Sequence, residues 1–151
     1  MAPVTISAIM PAFRAEALLP RVLAPLMAMK ARGELADFRA TGQTGILIAG
    51  AGVPVDAVVA DFISGAIEQL APARTDGGWD VIEGQGSLFH PSFAGVSTGL
   101  LHGAQPEAVV MCHDPARAHM RGIPGRALPD LAECLAANLQ VARLTSPRSE
   151  E

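Results

Sequence analysis

The sequence predicts a three-layer α/β fold, a parallel sheet flanked by helices. Three observations carry this expectation. Half of the residues are hydrophobic and only 4% are aromatic, the balance of a close-packed α/β interior rather than of a disordered chain or a disulfide scaffold. Short apolar runs alternate with amphipathic stretches, a pattern that implies parallel pairing through helical crossovers. One run, Trp79-Asp80-Val81-Ile82-Glu83, ends in an acid and opens into Gly84-Gln85-Gly86-Ser87 before a helix. In open α/β sheets that carboxyl edge is where ligands bind. At 151 residues the chain can bury one sizeable core.

Taken in order, residues 14–32 are helical by composition, but Pro20 and Pro25 interrupt them. An interior proline loses a backbone bond and clashes with the preceding turn. A broken helix is expected, closed by Gly33. No strand is expected before it, and the stretch to Pro25 is expected to pack least well. Ala36–Ala40 reads as a short strand and Ile46–Ala49 as another, joined by the small polar run Thr41-Gly42-Gln43-Thr44-Gly45. Pro54 then opens the best helix. Val55, Val58, Val59, Phe62, Ile63, Ala66, Ile67 and Leu70 fall on one continuous stripe. Pro54 suits the first helical position and Asp56 complements the dipole.

Asp76-Gly77-Gly78 is a turn, and Trp79 is a packing residue at the start of the next strand. Ser92 is a suitable N-cap for a helix to about Gly103. Ala108–Cys112 is a third apolar strand. Val81, Ile82, Val109 and Val110 are expected on inner strands covered on both faces. Residues 113–128 form a loop rich in His, Arg, Gly and Pro. Pro129 to about Arg143 is a final helix with Leu131, Cys134, Leu135 and Leu139 inward. The tail from Thr145 is polar.

Composition also excludes. The net charge is −4 without a basic cluster, so nucleic acid is not expected as a partner. No segment reaches the ~18 uninterrupted apolar residues of a membrane span, and the apolar N-terminus has no leading positive charge. A cytoplasmic protein with two buried thiols, Cys112 and Cys134, is expected. The single lysine, Lys30, is flanked by Met29 and Ala31. A Walker A loop needs Gly-Lys followed by Ser or Thr, and the chain has none.

Several residues carry candidate chemistry. A glycine loop leading into a helix N-terminus gathers backbone N–H groups into an anion site. Glu83, at the strand's carboxyl end, can hold a metal ion or move a proton. Its structural alternative is an acid that caps N–H groups of the following loop. His113, Asp114 and His119, with His90 nearby, could ligate a metal. The neighbouring Arg117 and Arg121 instead favour a loop that sets His and Arg on an anionic substrate. Gly50-Ala51-Gly52-Val53-Pro54-Val55 resembles a dinucleotide fingerprint, but Val55 stands at the third glycine. A tight strand-to-helix turn is the simpler reading. Gly95-Val96-Ser97-Thr98-Gly99 matches the nucleophile-elbow letters inside a helix, where the needed strand is missing. Gln43 and Thr44 either close a turn or bind.

Five ordered motifs carry a family resemblance: residues 38–45, residues 55–62, residues 79–91, Leu101-His102-Gly103 to Pro106, and Cys112-His113-Asp114-Pro115 to Arg121-Gly122. Over residues 27–146 the chain resembles the D-glutamate N-acetyltransferase-like family, formerly a bacterial and archaeal domain of unknown function. The resemblance implies a C-terminal domain like the P-loop fold of dethiobiotin synthetase, whose Glu-Gly-x-Gly loop Glu83-Gly84-Gln85-Gly86 matches. It also implies an N-terminal Rossmann-like domain in the family. The implied reaction is acetyl transfer from acetyl-CoA to an acidic amino acid. ATP-Mg²⁺ is implied as a ligand only for complete relatives, and the sequence itself requires no cofactor.

The family pattern places a strand and a Gly-Lys loop where residues 1–26 stand, and a further strand beyond the last helix. The chain is therefore expected to be a truncated or frameshifted member: an atypical segment 1–26, an incomplete P-loop-like domain 27–146 without the phosphate-loop unit, and a frayed tail 147–151. The resemblance and the residues together give Glu83 and His113 as candidate catalytic groups, with Glu83 taking a proton from the amine or binding Mg²⁺. Thr41, Gln43, Thr44, Gly84, Gln85, Gly86, Ser87, His90, Arg117 and Arg121 are the candidate substrate or anion contacts, and no resident metal is assigned. The expected partner is a small anionic metabolite, with homo-oligomerisation left open. Two other readings stand beside this one: an ATP-dependent ligase or synthetase, and a non-catalytic binding or assembly module. The missing Gly-Lys favours the module for this chain alone.

Overall fold

The computed structural model describes residues 4–9 and 26–145. Strands β1 (Val4–Ile9), β2 (Ala36–Arg39), β3 (Trp79–Glu83) and β4 (Ala108–Met111) form one sheet in the order β2-β3-β1-β4. All its pairings are parallel. The expected parallel α/β architecture is therefore present.

The N-terminal strand is the first correction. β1 lies inside the sheet, with Ser7 paired to Ile82 on one side and to Val109 on the other. The sequence expectation had no strand there. Val4, Thr5, Ile6 and Ile9 are all β-branched, and such residues fit a pleated surface. Pairing along both edges then satisfies the strand's backbone groups. The expected break at Pro20 and Pro25 lies outside the described residues. Residues 26–31 are helical and end at Gly33, whose φ of +80° is the left-handed C-cap conformation anticipated for it.

The second correction concerns Ile46–Ala49. These residues form the second half of helix α1 (Gln43–Ala49), not a strand. A short apolar run cannot be assigned by periodicity alone. The helix ends at Gly50, whose φ is +72° and whose N–H donates to the Ile46 carbonyl. The glycines that resembled a dinucleotide fingerprint thus follow a helix, and the strand that motif requires is missing.

The long helix expected from Pro54 is broken. Val55–Ala57 and Ala60–Phe62 are 3₁₀ turns, and the α-helix proper, α2, spans Ile63–Leu70. The cause is tertiary. The N–H groups of Val53 and Val55 donate to the carbonyls of Ala40 and Thr41 at 3.0 Å each. This chain entry runs extended beside the end of β2, and it leaves Pro54 at ψ 86°, outside the helical range. Val55, Ile63 and Ile67 are buried as the stripe requires, whereas Val59 and Phe62 are exposed.

Helix α3 (Ala94–Ala104) is capped by Phe93 without a side-chain bond, not by Ser92. Ser92 instead gives its N–H to His90 Nδ1. Helix α4 (Leu131–Arg143) has a conventional cap: Asp130 accepts from the N–H groups of Ala132 and Glu133.

The core lies between one sheet face and these helices. Ile82 packs with Val55, Ile67, Leu100 and Ala104. Val109, in the same row of the sheet, packs with Leu101, Val141 and Ala142. Among the described strands β4 is an edge, so Val109 and Val110 are not on an inner strand, and Val110 is 49% exposed. α2 and α3 cross closely. A Cβ on Gly103 would overlap the Ser64 carbonyl, and Ser64 Oγ donates to the Gly99 carbonyl at 3.0 Å.

Candidate functional site

Because the strands are parallel, the segments after β2, β3 and β4 leave from one edge of the sheet. Two constellations form there. The first centres on Glu83, which is buried at 8% exposure. The N–H groups of Thr41 and Gly42 donate to its Oε2 at 2.9 Å each. Thr41 Oγ1 donates to the Glu83 carbonyl at 2.7 Å, and Gln85 Nε2 donates to Thr41 Oγ1 at 2.8 Å. Glu83 therefore supplies the acceptor that the entry to α1 needs. The capped N–H groups belong to the segment before β3 in sequence, not to the loop after it. Gly45 makes this approach possible, since a Cβ there would overlap the carboxylate.

The second constellation is a pocket of about 520 Å³ between the loop after β3, the loop after β4 and the start of α4. It brings together Gln85, Gly86, Ser87, His90, His113, Arg117 and Arg121. Thr41, Gln43, Thr44, Glu83 and Gly84 do not line it. Gln43 Nε2 donates to Asp56 Oδ2 at 3.0 Å, so that side chain ties α1 to the following turn. Gln85 links the two constellations, lining the pocket while bonding Thr41.

His90 has both ring nitrogens engaged. Ser92 N–H donates to Nδ1 at 3.1 Å, and Nε2 lies 2.9 Å from the Arg121 carbonyl. A backbone N–H can only donate, so Nδ1 is the acceptor and the ring proton sits on Nε2, donated to Arg121. The ring also packs on Phe93 at a 4.5 Å centroid distance. His90 thus clamps the β3 loop to the β4 loop. Ser97 does similar work, its Oγ donating to the Gly86 carbonyl at 2.8 Å. That buried, committed hydroxyl is no elbow nucleophile.

Sequence reasoning missed the apolar lining: Phe93, Met111, Met120, Ile123, Leu128 and Leu131. The five in the 111–131 stretch are spaced on no helix or strand period, and only the loop's closure gathers them with Phe93. Cys112 and Cys134 also line the pocket, and burial pushes both thiols above their usual range, with Glu133 and Asp130 adding to the effect on Cys134. They stay protonated and weakly nucleophilic at neutral pH. Among the described residues, no group of three or more His, Cys, Asp or Glu is arranged to hold a metal ion. Among the same residues, no helix is long and apolar enough to cross a membrane.

A charged network near the opposite edge was also missed. Arg74 bonds Asp37 at 2.7 Å, Asp76 at 2.6 Å and Asp80 at 3.1 Å, and Arg39 Nε bonds Asp80 at 2.8 Å. The Arg74 hydrogen bonds hold Asp37 and Asp76 below the usual carboxylate range. The same partners, Asp76 first, hold Arg74 firmly protonated.

The fold defines a parallel α/β domain with a pocket at the carboxyl edge of its sheet. More particularly, the chain belongs to the family described as "Domain of unknown function (DUF1611_C) P-loop domain", which matches residues 23–150. It is 56% identical over 115 residues to a D-glutamate N-acetyltransferase from Tritonibacter scottomollicae, covering 76% of this chain and 34% of that protein. It is equally identical over 120 residues to a protein of the same name from Pseudoalteromonas sp, covering 80% and 36%. The crystal structure of a DUF1611 family protein from Anabaena variabilis superposes with a TM-score of 0.81 at 33% identity, covering 94% of this chain and 41% of that one. The chain spans about a third of the length of these curated relatives.

Proposed function

We propose that this domain serves a cytoplasmic acetyltransferase that acts on the amine of an acidic amino acid, with acetyl-CoA as donor. The observation that carries the reading is the 56% identity to two proteins named D-glutamate N-acetyltransferase. A pocket at the carboxyl edge, with His113 and Arg117 in its wall, supports it. In the reaction the amine nitrogen bonds the acetyl carbonyl carbon, the carbon–sulfur bond breaks, and CoA leaves as the thiol. The amine proton passes to a base. His113 is proposed for that role, because it lines the pocket whereas Glu83 does not. Glu83 serves in this reading as the carboxylate that fixes Thr41 and Gly42. ATP hydrolysis is not expected, since the chain has no Gly-Lys to neutralise the outer phosphates.

The test is incubation of the purified chain with acetyl-CoA and D-glutamate, with L-glutamate and ATP-Mg²⁺ in parallel. N-acetylglutamate, detected by mass spectrometry together with released thiol, is the expected result with the acidic amino acid. If neither product nor calorimetric binding of acetyl-CoA or D-glutamate is found, the reading fails for this chain. Phosphate release above buffer with ATP-Mg²⁺ would favour the ligase reading instead.

A further inference from the structure

Resting on the acetyl-transfer reading, we infer that the apolar part of the pocket between the β3 and β4 loops seats the acyl-bearing arm of the thioester donor, and that the amino acid binds outside that part. Size is the first argument. The pocket holds about 520 Å³. At no more than roughly 30 Å³ per non-hydrogen atom, the share of a water molecule in the liquid, a glutamate of roughly ten such atoms would fill under about 300 Å³, whereas the donor's acyl-bearing arm of roughly twenty would fill up to about 600 Å³ and leave the phosphates and nucleotide outside. Lining is the second. Phe93, Met111, Met120, Ile123, Leu128 and Leu131 offer no polar partner. Two carboxylates and an ammonium buried against this apolar part would lose hydration that it cannot replace, whereas methylenes would not.

A donor built as a long arm of methylenes and amides ending in phosphates has the matching division. Its arm suits the apolar wall, and its phosphates suit the guanidinium side. Arg117 and Arg121 both line the pocket, and Arg121 is exposed. Asp130 already caps the N-terminus of α4, so the positive charge on this side comes from arginine rather than from open helix N–H groups.

The chain carries its own reporters. Its two cysteines, Cys112 and Cys134, both line this pocket. The experiment is iodoacetamide labelling of the intact chain at mildly alkaline pH, mapped by peptide mass spectrometry. The arms are no addition, acetyl-CoA (which has no free thiol) and D-glutamate, and turnover is measured on the same preparation. At ten times its Kd, acetyl-CoA should slow labelling of both cysteines about tenfold by mass action, while D-glutamate alone leaves the rates unchanged. Arg117→Ala should raise the acetyl-CoA concentration needed for half protection. Protection by D-glutamate but not by acetyl-CoA overturns the inference. So does product formation without protection by acetyl-CoA, which leaves the acetyltransferase reading standing. Protection by acetyl-CoA without product supports the donor seat and counts against the proposed acceptor. Neither protection nor product overturns both.

Discussion

Glu83 shows how much one side chain organises at this edge. Its carboxylate receives two backbone N–H groups from a segment about forty residues earlier in the chain, and Gly45 leaves the room for it. Glu83→Gln keeps the shape but replaces charge-assisted bonds with neutral ones and sets an amide N–H₂ near backbone donors. A loss of about 1–3 kcal/mol is expected. That lowers the melting temperature by about 2–4 °C per kcal/mol for a chain of this size. An unchanged melting temperature with a turnover loss of about 10²-fold would instead mark Glu83 as the general base. The His90 ring makes a second prediction. Its neutral form should be the Nε2–H tautomer, because Nδ1 must accept from Ser92. Nitrogen-15 shifts of the imidazole read this directly, and an Nδ1–H signature would show that the clamp is not formed in solution. His90→Ala should speed amide exchange across residues 113–128, which the ring holds through the Arg121 carbonyl.

At the scale of elements, the crossing of α2 and α3 depends on small residues. Gly103 lets the Ser64 carbonyl approach where a Cβ would collide, and Gly99 sits against Ile63 in the same way. Gly103→Ala has two opposed effects. Alanine improves helix propensity by about 1 kcal/mol, and overpacking costs about 1–3 kcal/mol. The obstructing atom is backbone, which cannot swing aside, so the packing cost should win. Chemical denaturation should show a lower midpoint for this variant. A higher midpoint would mean the helices separate at little cost. The 3₁₀ turns before α2 carry a related lesson. Helix periodicity across residues 55–70 is real, yet two hydrogen bonds to the end of β2 override its first turns.

For the whole molecule, the charged network predicts acid sensitivity. Asp37 and Asp76 have folded values below the ordinary 3.8 because Arg74 bonds their ionised forms. The unfolded chain therefore binds protons more readily than the folded one. The stabilisation is complete above that ordinary value and drains away as pH falls through the lowered ones. Both side chains are 49% exposed, so solvent screens the pairs and the effect is modest. Melting followed from about pH 6 to about pH 2 should fall below about pH 4, the range set by ordinary carboxylates, with a modest share due to these pairs. The double variant Asp37→Asn with Asp76→Asn should fall less steeply and start lower. Equal slopes in the two proteins would exclude these pairs as the cause.

What was legible in the sequence was local. The alternation of strand and helix, the run Trp79–Glu83 with its glycine loop, the left-handed stop at Gly33 and the span of the last helix all depend on preferences that act within a few residues, whereas the face of that helix does not: it buries Asn138 and Ala142 and leaves Leu131 and Leu135 exposed, against the expected inward set. The resemblance resting on ordered motifs was legible too, and the family match agrees with it. Tertiary structure decided where partners lie far apart. It set β1 inside the sheet, made a helix of Ile46–Ala49, drew Val53 and Val55 onto the end of β2, and gathered unperiodic loop residues into a pocket. The physical reason is common to all four. Backbone groups must find partners and apolar surface must find cover, and which distant segment supplies them depends on the assembled sheet rather than on the residues nearby.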